Sequence, residues 1–262
     1  MDIKVLNRLS TTIALGILTT ATGFSAMITG LVTVTGSASV SATAIDFFNT
    51  PPPCTTPTLG GGTNGCFLVV GTPTGNFTGL SSPSGGVNNG TILDLVGGNI
   101  TGSKNIQGFM TFSNSVIFDL VNLPAAGNPG CSTVDPTLGG VSCVPDGNGP
   151  SAFRLTNGPG TGAGQTGPAN TVAVQFTVGL NGYTGSNAVS TPYIGIFATT
   201  ISNANAATIL ASLAANGGTG SFGPKGFSAD FSPAAVPEPA TMLLMGFGLL
   251  GVSFASRKFP KR

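Results

Sequence analysis

The sequence predicts a mainly β protein: an antiparallel β-sandwich or jelly-roll-like body with one short helix, between an N-terminal signal peptide and a C-terminal transmembrane helix. Three observations carry this. Short β-prone runs alternate with Gly/Pro/Asn/Ser loops through the middle of the chain. Hydrophobic residues make up 40% against 6% charged, which is enough apolar side chain for a packed core. The basic residues gather at the two ends: Lys4 and Arg8 near the start, and Arg257, Lys258, Lys261 and Arg262 in the last six positions. Between Ile45 and Val236 six aspartates face three bases, a net charge of −3. No block of like charge runs through the chain, which argues against a nucleic-acid partner.

Residues 1–44 read as a signal peptide. A basic start leads into an apolar run around Ile13–Leu18, then a Thr/Ser/Ala/Gly-rich tract. The tract closes on Ala42-Thr43-Ala44, a small-x-small pattern that predicts a cut after Ala44, with Ala38 and Ala42 as alternative cut sites. The competing interpretation is an uncleaved anchor, and the polar residues from Thr19 onward weigh against it.

The body, residues 45–232, divides into short strands. They are expected at Ile45–Asn49, Cys66–Val70, Ile92–Val96, Gly108–Phe112, Val116–Leu123, Ala152–Thr156, Val172–Leu180, Tyr193–Thr200 and Phe227–Phe231. One helix is expected over Asn205–Ala215. Asn205 caps it, Ile209, Leu210 and Leu213 share a face, and Gly217 suits its end. Many short strands and a lone helix point to a sandwich or jelly roll whose core can draw on thirteen phenylalanines.

Cys54 and Cys66, and Cys131 and Cys143, are each twelve apart in Gly/Pro-rich stretches. In an exported chain that spacing predicts two local disulfides, each worth about 3 kcal/mol in the chain-entropy model. Both pairs enclose a Pro-Thr-Leu-Gly-Gly run, at 57–61 and 136–140, and each follows a similar strand-like segment. An old duplication and chance similarity in a Gly/Thr/Pro-rich chain both account for this echo.

The inventory excludes whole classes of chemistry. With no histidine there is no Ser-His-Asp or Cys-His arrangement and no imidazole metal site. The aspartates Asp46, Asp94, Asp119, Asp135, Asp146 and Asp230 form no recognisable acid/base motif; the first three read as strand-edge positions, Asp135 and Asp146 as turn residues. Gly162 to Gly167 matches GxGxxG in form, but Pro168 follows and no helix comes after, so it reads as a loop. Asp146-Gly147-Asn148-Gly149 lacks the rest of a calcium loop. The sequons at Asn76, Asn89 and Asn99 mark Asn/Thr-rich loops. No catalytic residue, metal ligand or cofactor site is expected.

The last thirty residues, 233–262, stand apart from the body. Pro237-Glu238-Pro239 sits in the segment 236–241, an uncharged stretch follows over 242–256, and a basic tail covers 257–262. From Ala240 to Ser256 an α-helix would be about 25 Å long, at the short end of what spans a bilayer. The two prolines hold the only glutamate of the chain in extended backbone just before the span. The basic cluster stays on the cytoplasmic side and leaves the body outside.

A Pro-Glu-Pro, a short apolar helix and a terminal basic cluster, in that order, resemble the PEP-CTERM sorting signal. Bacteria that export proteins carrying this signal make exopolysaccharide. The resemblance implies that an exosortase, an integral-membrane cysteine protease-transpeptidase, recognises Pro237, Glu238 and Pro239. It implies equally that Arg257, Lys258, Lys261 and Arg262 stop transfer. The expected function is that of an exported, exosortase-processed, non-catalytic protein of the cell surface or exopolysaccharide matrix (a biofilm component); the alternative is a carbohydrate- or surface-ligand-binding β-sandwich. The implied partners are the exosortase, the inner membrane transiently, and exopolysaccharide.

Overall fold

The computed structural model describes residues 27–48, 65–80, 90–95, 101–127, 129–146, 150–162, 167–185, 190–218, 220–234 and 247. In chain order the strands are β1 (Val32–Ser41), β2 (Ile45–Phe48), β3 (Gly65–Val70), β4 (Gly90–Ile92), β5 (Gly102–Phe112) and β6 (Val116–Leu123). They continue as β7 (Ser142–Cys143), β8 (Arg154–Asn157), β9 (Thr171–Thr184) and β10 (Thr191–Ser202). A helix, α1 (Ala206–Gly218), precedes β11 (Ser221–Pro233).

The expected sandwich is a barrel. Hydrogen-bonded neighbours run β10-β11-β1-β3-β4-β5-β6-β9, and β9 pairs back onto β10 to close eight antiparallel strands into one wall. The closing hairpin is long, with β10 in register against β9 from Thr191↔Gly182 to Ser202↔Thr171. A sandwich and a barrel require the same inward/outward alternation along each strand, so the local pattern does not separate them. Closure is decided by β9 having a partner on both sides. β2 continues the β3 side of β1, while β7 and β8 extend from the start of β9.

Residues before the expected boundary at Ala44 form part of the barrel wall. Val32-Thr-Val-Thr-Gly-Ser-Ala-Ser-Val-Ser has a strand's period of two and forms β1. β1 pairs with β11 from Val32↔Phe231 to Ser41↔Ser221 and carries β3 and β2 on its other side. Ile28, Val32 and Val34 are core residues. A cut at Ala38, Ala42 or Ala44 would remove most or all of the strand between β11 and β3. Thr33, Thr35, Ser37, Ser39 and Ser41 form the half-buried face of this strand, Ala38 lies on its buried face, and Ala42–Ala44 link it to β2.

An eight-stranded barrel encloses just enough space for side chains to fill, and aromatic rings fill this one. Twelve of the thirteen body phenylalanines are buried. Ring contacts join eleven of them into one connected set, from the stacked Phe176–Phe197 pair at 4.6 Å to edge contacts such as Phe47–Phe227 at 5.5 Å. Glycines on neighbouring strands make room for these rings: a Cβ on Gly182 would lie 2.5 Å from Phe118, and one on Gly36 2.7 Å from Phe227. Outward positions on β9 are Thr171, Ala173, Gln175, Thr177 and Asn181, the reverse of a lipid-facing barrel wall.

The two ends of the barrel are plugged differently. At one end β1 and β10 begin and β11 finishes, and Phe77 from the 3-10 turn Gly75–Phe77 fills the opening against Phe112, Phe118 and Tyr193. This is the termini end. At the other, α1 crosses the opening and buries Ala206, Ile209 and Leu213. This is the helix end.

Candidate functional site

A cavity lies at the helix end. Residues 124–146 leave β6, pass the helix, and return as β7, held by the disulfide Cys131–Cys143 with S–S 2.04 Å. Between this loop and α1 lies a cavity of about 350 Å³, with Leu210, Leu213 and Phe153 on its apolar side and Ser132, Asp146 and Ser151 on its polar side. The Asp146 carboxylate accepts hydrogen bonds from the Ser132 hydroxyl and, at 3.3 Å, its backbone N–H. The Ser132 hydroxyl holds the carboxyl below its ordinary range.

Asn157 ties this end together, and the sequence pattern did not single it out. Its side chain is buried, with Nδ2 donating to the carbonyls of Pro136 at 2.9 Å and Leu138 at 2.8 Å. Its Oδ1 accepts the Ala206 N–H at 2.7 Å, one of the donors left over at the start of α1. The expected cap stands beside it: Asn205 Oδ1 accepts the Thr208 N–H at 3.0 Å. A single Asn outside any motif has no sequence signal that would have marked it.

The aspartates are spread over separate parts of the wall. Asp94 accepts the Phe47 N–H at 2.7 Å, Asp230 the Thr33 hydroxyl at 2.6 Å, and Asp119 both the Gly108 N–H at 2.7 Å and the Tyr183 hydroxyl at 3.1 Å. Asp135 forms the expected turn, accepting the Thr137 N–H at 2.9 Å, and the Thr137 hydroxyl lowers its pKa. Each of these carboxylates is occupied by a hydroxyl or a backbone donor. Among the described residues no group of three or more Cys, Asp or Glu is placed to hold a metal.

The remaining motifs resolve into structure. Around Gly162–Gly167 the flanking chain pairs, Thr161 with Pro168 and Gly160 with Ala169, and leads into a strand rather than a helix. Asn76 of the first sequon accepts the Thr29 N–H at 2.8 Å, tying the residues before β1 to the 3-10 turn. Cys66 is disulfide-bonded, and Cys54 lies outside the described residues. The two cysteine stretches occupy different settings, since Cys66 lies in the barrel strand β3 and Cys143 in β7, which pairs only with β8.

Both tyrosines are committed. Tyr193 is 1% exposed, donates to the Gly30 carbonyl at 3.3 Å, and has its pKa pushed up to about 12 by burial. Burial first, then the bond to Asp119, raises that of Tyr183.

β11 ends at Pro233, and the Ala234 N–H donates to the Pro192 carbonyl at 2.8 Å. Pro237, Glu238, Pro239, Arg257, Lys258, Lys261 and Arg262 lie outside the described residues, as does the expected span 242–256 apart from the helical Phe247. Among the described residues no helix is long and apolar enough to cross a membrane. The family of the PEP-CTERM protein-sorting motif matches residues 235–258, starting two residues after the end of β11. The chain carries a PEP-CTERM sorting signal. The match takes in Pro237-Glu238-Pro239, the apolar stretch and the first two bases of the tail, and covers 24 of 262 residues. No curated protein and no solved structure matches the chain. The PEP-CTERM signal marks an exported protein, made as a membrane-anchored precursor and handed to an exosortase.

Proposed function

We propose that this PEP-CTERM protein is a non-catalytic component of the cell surface or exopolysaccharide matrix, delivered there as a folded barrel by exosortase processing. The observation that carries the proposal is the sorting signal matched over residues 235–258, directly after β11, which ends at Pro233.

The non-catalytic part of the proposal is supported by the aspartates, whose oxygens hold loops and strand ends. The exported location is supported by the Cys131–Cys143 disulfide, since such staples persist in oxidising compartments. On this proposal the leader ends upstream of Ile28, so that β1 stays with the barrel.

The test compares intact masses of the protein from wild-type and exosortase-deletion strains. The wild type should release a form lacking the span and basic tail, and the deletion strain should retain the tail in its membrane fraction. Identical masses and locations in both strains would rule the proposal out.

A further inference from the structure

The termini end of the barrel differs from the rest of its surface. Among the described residues of the barrel five large hydrophobics are exposed, and four lie there: Leu31 (55%), Met27 (46%), Ile194 (42%) and Ile196 (40%). The fifth, Leu138, is in the loop beside α1. Ile194 opposes Ser232 on β11 and Gly179 on β9, and glycine leaves its side chain uncovered. Leu31 lies on the other side of β11, next to Val32, which opposes Phe231. Ile196 forms the inner border of the patch, where it opposes Asp230 and that carboxylate takes the Thr33 hydroxyl.

The chain leaves for the membrane from this same place. Pro233 opposes Tyr193, and Ala234 is bonded to Pro192. From Ala234 the chain reaches Met242, the start of the apolar stretch, in eight steps, at most about 29 Å when fully extended. A tether that short holds the end of β11 next to the bilayer at high effective concentration, so a weak interfacial contact suffices to orient the barrel.

We propose that the termini end rests on the lipid surface of the anchoring membrane in the precursor, with Leu31, Ile194, Ile196 and Met27 as its contacts. This rests on the anchored-precursor part of the function proposed above. The helix end, with its 350 Å³ cavity, then points away from the membrane. Exosortase processing removes the tether, and the contact is lost with it.

Spin labels test this on the full chain reconstituted into phosphatidylethanolamine/phosphatidylglycerol vesicles. No free cysteine is present among the described residues to compete for the label. Labels are placed at Ile194→Cys, at Leu31→Cys as a second probe should the first fail to fold, and at the exposed Ala211→Cys on α1 as the distal reference. The expected result is a ratio of oxygen to nickel-complex collisions severalfold higher at 194 and 31 than at 211. Anchored protein with equal ratios at all three positions overturns the contact alone. Suppressed collisions with both reagents at 194 would mean a protein partner covers the face, and would also overturn it. Protein that carbonate strips from the vesicles overturns both the contact and the anchored precursor.

Discussion

Asn157 joins the loop at Pro136 and Leu138, the strand β8 and the first turn of α1 through three hydrogen bonds made in a buried position. Asn157→Ala leaves the Ala206 N–H without its acceptor and the Leu138 carbonyl without its donor, while the Pro136 carbonyl keeps the Ala207 N–H. Unpaired buried groups cost about 1–3 kcal/mol each before relaxation. The expected loss is about 3 kcal/mol in urea unfolding, with the Cys131–Cys143 loop losing amide-exchange protection first; an unchanged midpoint would show that the amide is dispensable. Tyr193 makes a different prediction. Its pKa rises from 10.0 to about 12 on folding, so its contribution to stability is complete below pH 10 and disappears as pH climbs from 10 towards 12. Urea midpoints should fall across that window, and Tyr193→Phe should remove part of the fall. If the variant follows the wild type at every pH, the burial of the phenol is not what sets the alkaline limit.

β1 carries the strongest prediction at the level of elements. It is enclosed by β11 on one side and by β3 and β2 on the other, and its inward residues meet the aromatic core. A closed barrel has no spare edge, so removing one strand exposes two rows of backbone donors and acceptors at once. N-terminal sequencing of the exported protein should find the first residue upstream of Ile28. A chain beginning at Ile45 should fail to give a cooperative unfolding transition. Recovery of a stable, monomeric protein starting at Ile45 would show that β1 is not part of the working barrel. Helix α1 makes the complementary point. Its cap at Asn205 and its inward Ile209 and Leu213 are local features, and the structure places them where the local pattern does.

For the whole molecule, the strands of the barrel and the sorting signal matched at 235–258 are separate stretches of the chain, a body and an address. Deleting residues 235–262 should leave the Tm of the barrel within a few degrees of the full chain in detergent, because the eight strands of the wall all lie before residue 235. A drop of ten degrees or more would place the tail within the folded unit. The barrel's two ends then divide the work proposed for it: the termini end, with its four exposed hydrophobics, toward the membrane, and the helix end, with its cavity, outward.

Which features were legible in the sequence follows from the range of the forces involved. The strand positions, the helix with its cap, the Cys131–Cys143 pair and the aromatic core all follow from period, propensity or short spacing, which act within about a dozen residues. The sorting signal was legible for the same reason: Pro-Glu-Pro, an apolar stretch and a basic tail form one contiguous run. Closure of the barrel was not, because it depends on β9 pairing with β6 as well as β10, a choice of partner that alternation does not encode. Nor was the role of β1, whose Thr, Ser, Ala and Gly suit the end of a leader as well as the half-buried face of a strand. The pairing of β1 with β11, almost two hundred residues away, gives these residues their place in the wall, since burial is settled by the strands that come to lie on either side.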